Sequence, residues 1–406
     1  MEKAMLTPYD EYPVHQSPYP FSHIPSTDYN WDDGYYFAAH CPSQKTVLCT
    51  GLRVNANSDM VGGYAIININ GIQTTFRFSR CWRRDFNLVV GPFRIEFVEP
   101  LKKIRVTLAE NDSGLSFEMF WEGTSPPVLE DHHLATNRGR ATTDQSRYSQ
   151  AGKVSGWINF RGKHTVMDPE EWFGSRDHSW GLYAERPPLS PVASLLPPRE
   201  SKGPKRGFRF WTCWRTGEFS GHWEINEASD GRQIPLDDVF GVPFAGKLYR
   251  GWDEEYPLVA ARHEMEYHPG TRLAKRGRIY LTDKFGGEWI QDFEPAAPPW
   301  FPITMGYSPG SWKDGGTFHT YHGSEELATE WDEFDFSQQP VQSPSYLDKA
   351  SEAANDSFGF NNNGSEPIFG QEYIAKVTTY APDGTVAVGG GQMEHIISPP
   401  YTPYGF

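Results

Sequence analysis

The chain has 406 residues, a formal net charge of −15 and 15% aromatic residues, with a mean hydropathy of −0.60. That length predicts two domains. The acidic balance excludes a nucleic-acid binder, which needs a basic stripe, and no apolar run is long enough to span a bilayer as a helix.

Residues 1–30 are rich in Pro and Tyr and read as an extended arm over the body. The opening Met1-Glu2-Lys3-Ala4 has neither a basic head nor an apolar stretch, so no secretory signal is read and a cytoplasmic location is expected. From Trp31 onward the text alternates short aromatic and β-branched runs with Gly/Pro turns. Strands are predicted at 35–39, 46–54, 64–70, 74–78, 93–98, 103–109 and 115–121. Asn70-Gly71 is a strong hairpin signal. In Phe93-Arg94-Ile95-Glu96-Phe97 apolar and charged residues alternate, so one face is buried. Residues 123–147 read as a long polar loop. It contains His132-His133, but neighbours on an extended chain point oppositely, so no metal site is expected there. Cys41, Cys49, Cys81 and Cys213 are scattered without a Cys-x-x-Cys pair and read as free thiols.

Strands resume at 152–160. The Pro-rich stretch 186–206 is predicted to be a linker or lid between a domain at 31–185 and a second at 207–406. The second half has predicted strands at 208–215, 218–226, 258–268, 278–282, 287–292, 371–380 and 386–397. Glu325–Trp331 gives residues 317–333 a partly helical reading, and 337–365 reads as a polar excursion. The fold class is therefore all-β, as two barrel or sandwich halves.

Arg176-Asp177-His178-Ser179-Trp180-Gly181 gathers the residue types that chemistry needs. On a strand, Arg176, His178 and Trp180 share one face, with Asp177 and Ser179 on the other. A His beside a Trp in an apolar wall is a workable general acid or base, and the indole π face can hold developing positive charge. The same residues also suit a buried structural network.

This segment, with the approach Tyr148-Ser149-Gln150-x-Gly152 and the closing strand 389–395, resembles the lipocalin-like superfamily of carotenoid 1,2-hydratases and AttH-like proteins, and within it an uncharacterised bacterial branch. The resemblance implies two lipocalin-like β-barrel halves around an apolar cavity. It implies a lyase or isomerase (hydratase, dehydratase or cyclase) acting on an isoprenoid-, steroid- or polyketide-like molecule without metal or redox cofactor. His178 and Trp180 match the residues that line the family's cavity. The hydratases place a Tyr and an acid two residues apart on the next strand as proton source. Here 207–215 has no Tyr-x-Asp and offers Phe208, Phe210 and Trp214 as substrate contacts. Candidate substitutes for the proton source are Asp177, His222 with Glu224, or Tyr183. Arg176 completes the expected binding set, with His178 and Asp177 as the catalytic pair. Two other functions fit the sequence: an inert carrier of a hydrophobic ligand, and a sugar-binding or sugar-cleaving β protein using acid pairs such as Asp32-Asp33. The oligomeric state is not legible.

Overall fold

The structure is a computed structural model, and it describes residues 9, 13, 18–137, 139–182, 206–233, 244–306, 311–317, 320–323, 326–337 and 371–406. Tyr183, most of the expected linker and all but the first residue of the expected excursion lie outside these. The described residues form 22 strands and no α-helix. None of their helices is long and apolar enough to cross a membrane.

The first sheet contains β1 (Trp31–Cys41), β2 (Thr46–Asn55), β3 (Met60–Ile69), β4 (Ile72–Cys81), β5 (Val89–Val90), β6 (Phe93–Glu99), β7 (Lys103–Leu108), β8 (Leu115–Gly123), β9 (Val128–Leu129), β10 (His133–Asn137), β11 (Arg140–Phe160), β12 (Lys163–Met167) and β13 (Phe173–Leu182). Six further strands follow: β14 (Arg206–Thr216), β15 (Phe219–Ala228), β16 (Phe244–Arg250), β17 (Glu254–Tyr267), β18 (Ala274–Asp283) and β19 (Glu288–Pro295). The chain then returns to the first sheet with β20 (Ala328–Asp335), and β21 (Glu372–Tyr380) and β22 (Val386–Ile397) close the other six into an eight-stranded barrel.

The sequence pattern explains the faces. In β8, Leu115, Phe117, Met119 and Trp121 point into the first core, and β7 sets Ile104 opposite Trp121 and Val106 opposite Met119. Each such fully buried apolar side chain contributes about 1.5–3 kcal/mol. The β3–β4 hairpin turns at Asn70-Gly71 with φ of 51° and 92°, the left-handed pair that a two-residue type I′ loop requires. The barrel carries its own core, including Phe208, Phe210, Trp214, Trp223 and Phe293 on its inner face.

Two expectations are corrected. Residues 123–147 are not a loop: β9, β10 and the start of β11 run through them. Their polar text is strand text because Thr143, Gln145, Arg147 and Ser149 are buried against other polar groups rather than against a greasy core. The partly helical reading of 317–333 fails because 328–335 pairs with β4 as an edge strand. There Glu330 and Asp332 alternate onto Arg77, which is 1% exposed. The second half also lends that strand to the first sheet.

The barrel meets the first sheet where β14, β15 and β22 pack on the convex face of β1, β11 and β13. The concave face of the same three strands looks the other way.

Candidate active site

β13 lies between β1 and β11, and the register sets Tyr35, His178 and Tyr148 side by side. Strand alternation then puts Arg176, His178 and Trp180 on the concave face together with Asp33, Tyr35 and Tyr148. The His178 ring stacks on Tyr35 at 4.2 Å between centroids, meets Tyr148 edge-on at 5.5 Å and tilts against Trp180 at 5.2 Å. Its Nε2 lies 2.7 Å from Asp33 Oδ1. An ionised carboxylate only accepts, so Nε2 carries the proton, and in the neutral ring Nδ1 keeps the lone pair. The His178 side chain is 18% exposed and that of Asp33 49%, which places the pair at the mouth of the curl rather than in its core.

Beneath them lies Arg176, 1% exposed. Its Nε and Nη2 donate to Gln150 Oε1 at 3.0 and 2.7 Å, and its Nη1 donates to the Tyr148 hydroxyl at 3.3 Å. The guanidinium sits 4.9 Å from the Trp121 ring centroid and 5.0 Å from that of Tyr148. It forms no ion pair with a carboxylate among the described residues. Burial pulls the Arg176 pKa down. Burial pushes the Tyr148 phenol up, and the Arg176 charge opposes that rise. Tyr35 is pushed well up, chiefly by burial and then by Asp33. Trp121 is wedged between glycines: a Cβ on Gly174 would lie 2.6 Å from its Nε1, and one on Gly152 2.5 Å from its Cζ2. Larger residues there would displace the ring on which Arg176 rests.

The predicted site residues fall into three places. Arg176, His178 and Trp180 come together on the concave face. Asp177 points the opposite way, into the junction with the barrel, where burial raises its carboxyl to about 6 against the pull of Arg147 and Arg53. His222 and Glu224, on the outer face of β15, are buried in that same junction. Phe208, Phe210 and Trp214 lie inside the barrel. The concave site is completed by Asp33, Tyr35 and Tyr148, which sequence reasoning did not assign to it. Two of them stood in the text, Tyr148 in the approach to the motif and Asp33 in an acid pair. Only strand register shows that they flank His178.

The junction is strongly polar. Glu130 accepts from Arg147 Nε at 2.8 Å and Ser149 Oγ at 2.7 Å. Glu224 Oε2 accepts from Arg209 Nη1 at 2.6 Å. Glu130 is held down at about 2: burial works against ionisation, and chiefly the Arg147 guanidinium overcomes it. On the far side of this network Gln392 donates from Nε2 to Tyr36 and Glu372 at 2.7 and 2.8 Å.

Comparison with known proteins gives one family match: the model of a family of unknown function, DUF8625, matches residues 6–351. No curated protein matches. Among solved structures, kievitone hydratase from Nectria haematococca is 11% identical with a TM-score of 0.41, over 98% of this chain and 97% of that one. CghA with Sch210972 is 9% identical with a TM-score of 0.47, over 91% of this chain and 88% of that one. CghA alone is 9% identical with a TM-score of 0.45, over 98% of this chain and 97% of that one. At such identities and scores the likeness says nothing of activity, and the family match does not place the chain in a bacterial branch.

Proposed function

Because the chain belongs to the family of unknown function DUF8625, no activity comes with its membership, and we propose from the geometry that the concave face is the active site of an acid–base lyase or isomerase. The observation that carries the reading is the His178–Asp33 pair, 2.7 Å apart, set among the rings of Tyr35, Tyr148 and Trp180. Asp33 fixes the imidazole tautomer and stabilises the imidazolium once Nδ1 has taken a proton. Nδ1 therefore abstracts a proton and returns it. The aromatic walls select a hydrophobic substrate, and the Trp180 face stabilises cationic character developing on it. Tyr148, held by Arg176, is the second proton carrier and takes the place of the missing Tyr-x-Asp. It faces the same space as His178, so one substrate can be deprotonated on one side and protonated on the other. Hydration, dehydration and cyclisation of an isoprenoid-, steroid- or polyketide-like molecule all use that pairing. Hydration consumes one water and dehydration releases one, with His178 and Tyr148 relaying the proton.

The test is incubation of the purified protein with an apolar metabolite extract in D2O, read by mass spectrometry. A product shifted by one water, or an isomer carrying deuterium, made by the wild type and lost in His178→Ala, is the expected result. A ligand bound unchanged by both proteins would make the chain a carrier and end the catalytic reading.

A further inference from the structure

The junction between the first sheet and the barrel holds a second constellation, separate from the concave site. Glu130, between β9 and β10, His133 at the start of β10, and Glu224 on β15 bring one ligand atom each within 4.8 Å of one another, and all three are buried. His222, two residues before Glu224 and 1% exposed, stands outside that set of three but points its Nε2 at Glu130 Oε1 from 3.5 Å. His133 Nε2 stands 3.8 Å from Glu130 Oε2. Both separations exceed a hydrogen bond. They are close to the edge of a tetrahedron of donors around one ion, about 3.4 Å for metal–ligand bonds near 2.1 Å.

The unused atoms point the same way. His222 Nε2, Glu224 Oε1 and both ring nitrogens of His133 are buried without a hydrogen-bond partner. Buried polar atoms are rarely left unmet in this way. The atoms behind them are already held as an outer shell would hold them. His222 Nδ1 faces the Thr212 carbonyl oxygen at 3.0 Å, which leaves Nε2 as the free lone pair. Glu224 is fixed through its other oxygen by Arg209, and Glu130 by Arg147 and Ser149.

The geometry points to a binding site for one divalent first-row cation, zinc by its donor set, held by Glu130, His133 and Glu224 with His222 drawn in as the fourth ligand. Two imidazoles and two carboxylates are a borderline donor set that suits zinc and its neighbours. Glu130 and His133 come from the first sheet, and His222 and Glu224 from the barrel. The ion therefore clamps the two together.

Cobalt(II) is the probe. The full-length protein, stripped with chelator and dialysed, is titrated with Co2+ and followed by visible absorption, with His222→Gln and Glu224→Gln alongside. One equivalent of cobalt with the intense bands of tetrahedral coordination, displaced by Zn2+, is expected in the wild type. Each variant is expected to bind at least about 100-fold more weakly, since even the loss of an outer-shell partner costs 10–100-fold. Circular dichroism shows which variants are folded, and if His222→Gln is not, the conservative Glu224→Gln carries the comparison. Two outcomes overturn the proposal: no tetrahedral band in folded wild type, or cobalt bound equally well by a folded variant.

Discussion

Neighbouring residues on β13 serve opposite sides of one strand. His178 faces the concave site and Asp177 the junction, so the two members of the expected catalytic pair work in different places. The partner that matters to His178 is Asp33, and its replacement tests that claim. Asp33→Asn removes the charge that stabilises the imidazolium while keeping the shape. We expect the turnover found with the metabolite extract to fall by about 10²–10⁴-fold, the range that positioned acid–base groups supply. Native mass spectrometry should show ligand binding intact. If Asp33→Asn turns over like wild type, the dyad is structural.

Arg176 supports the site from below through Trp121, and Trp121 depends on glycine. Gly174→Ala would drive a methyl into the indole nitrogen from 2.6 Å. Overpacking of this kind typically costs about 1–3 kcal/mol. A lower urea midpoint with an unchanged slope, together with weakened turnover, is expected. At the edge of the same sheet, Arg77 is buried against Glu330 and Asp332 of β20. Arg77→Met should cost about 3 kcal/mol by stranding those carboxylates and should expose β20 to limited proteolysis. Strands with one greasy face, such as β7 and β8, were legible in the sequence because alternation follows the pleat. β11 was not, over its first half. Its Thr143, Gln145, Arg147 and Ser149 are buried in a polar junction, and a hydrophobicity pattern reads a strand between two polar surfaces as a loop. The concave site was half legible for a related reason. Arg176, His178 and Trp180 share one strand, whereas Asp33, Tyr35 and Tyr148 reach it only through register.

Across the whole molecule, two buried histidines weaken the fold in acid, and Asp177, raised to about 6, opposes part of that loss. Burial lowers His40 and His395 to about 3, against about 6.5 in an unfolded chain. Between those values the unfolded chain binds two protons that the native chain refuses. Stability therefore falls as pH drops through that window, by about 1.4 kcal/mol per pH unit for each histidine. Urea unfolding at pH 7.5, 6 and 5 should show the loss, and the double variant His40→Gln with His395→Gln should flatten it. An unchanged slope would mean that these rings titrate as free histidine does.

The return of β20 to the first sheet also governs how the chain is made. During synthesis β4 emerges long before residues 328–335, and until they arrive it presents an unpaired edge, the kind of surface that invites pairing with a second chain. The barrel waits as well, because β21 and β22 are its last staves. Neither half is finished until β20, β21 and β22 have left the ribosome. A nascent chain is open at both halves until then, and a stop codon anywhere before β20 would leave it so.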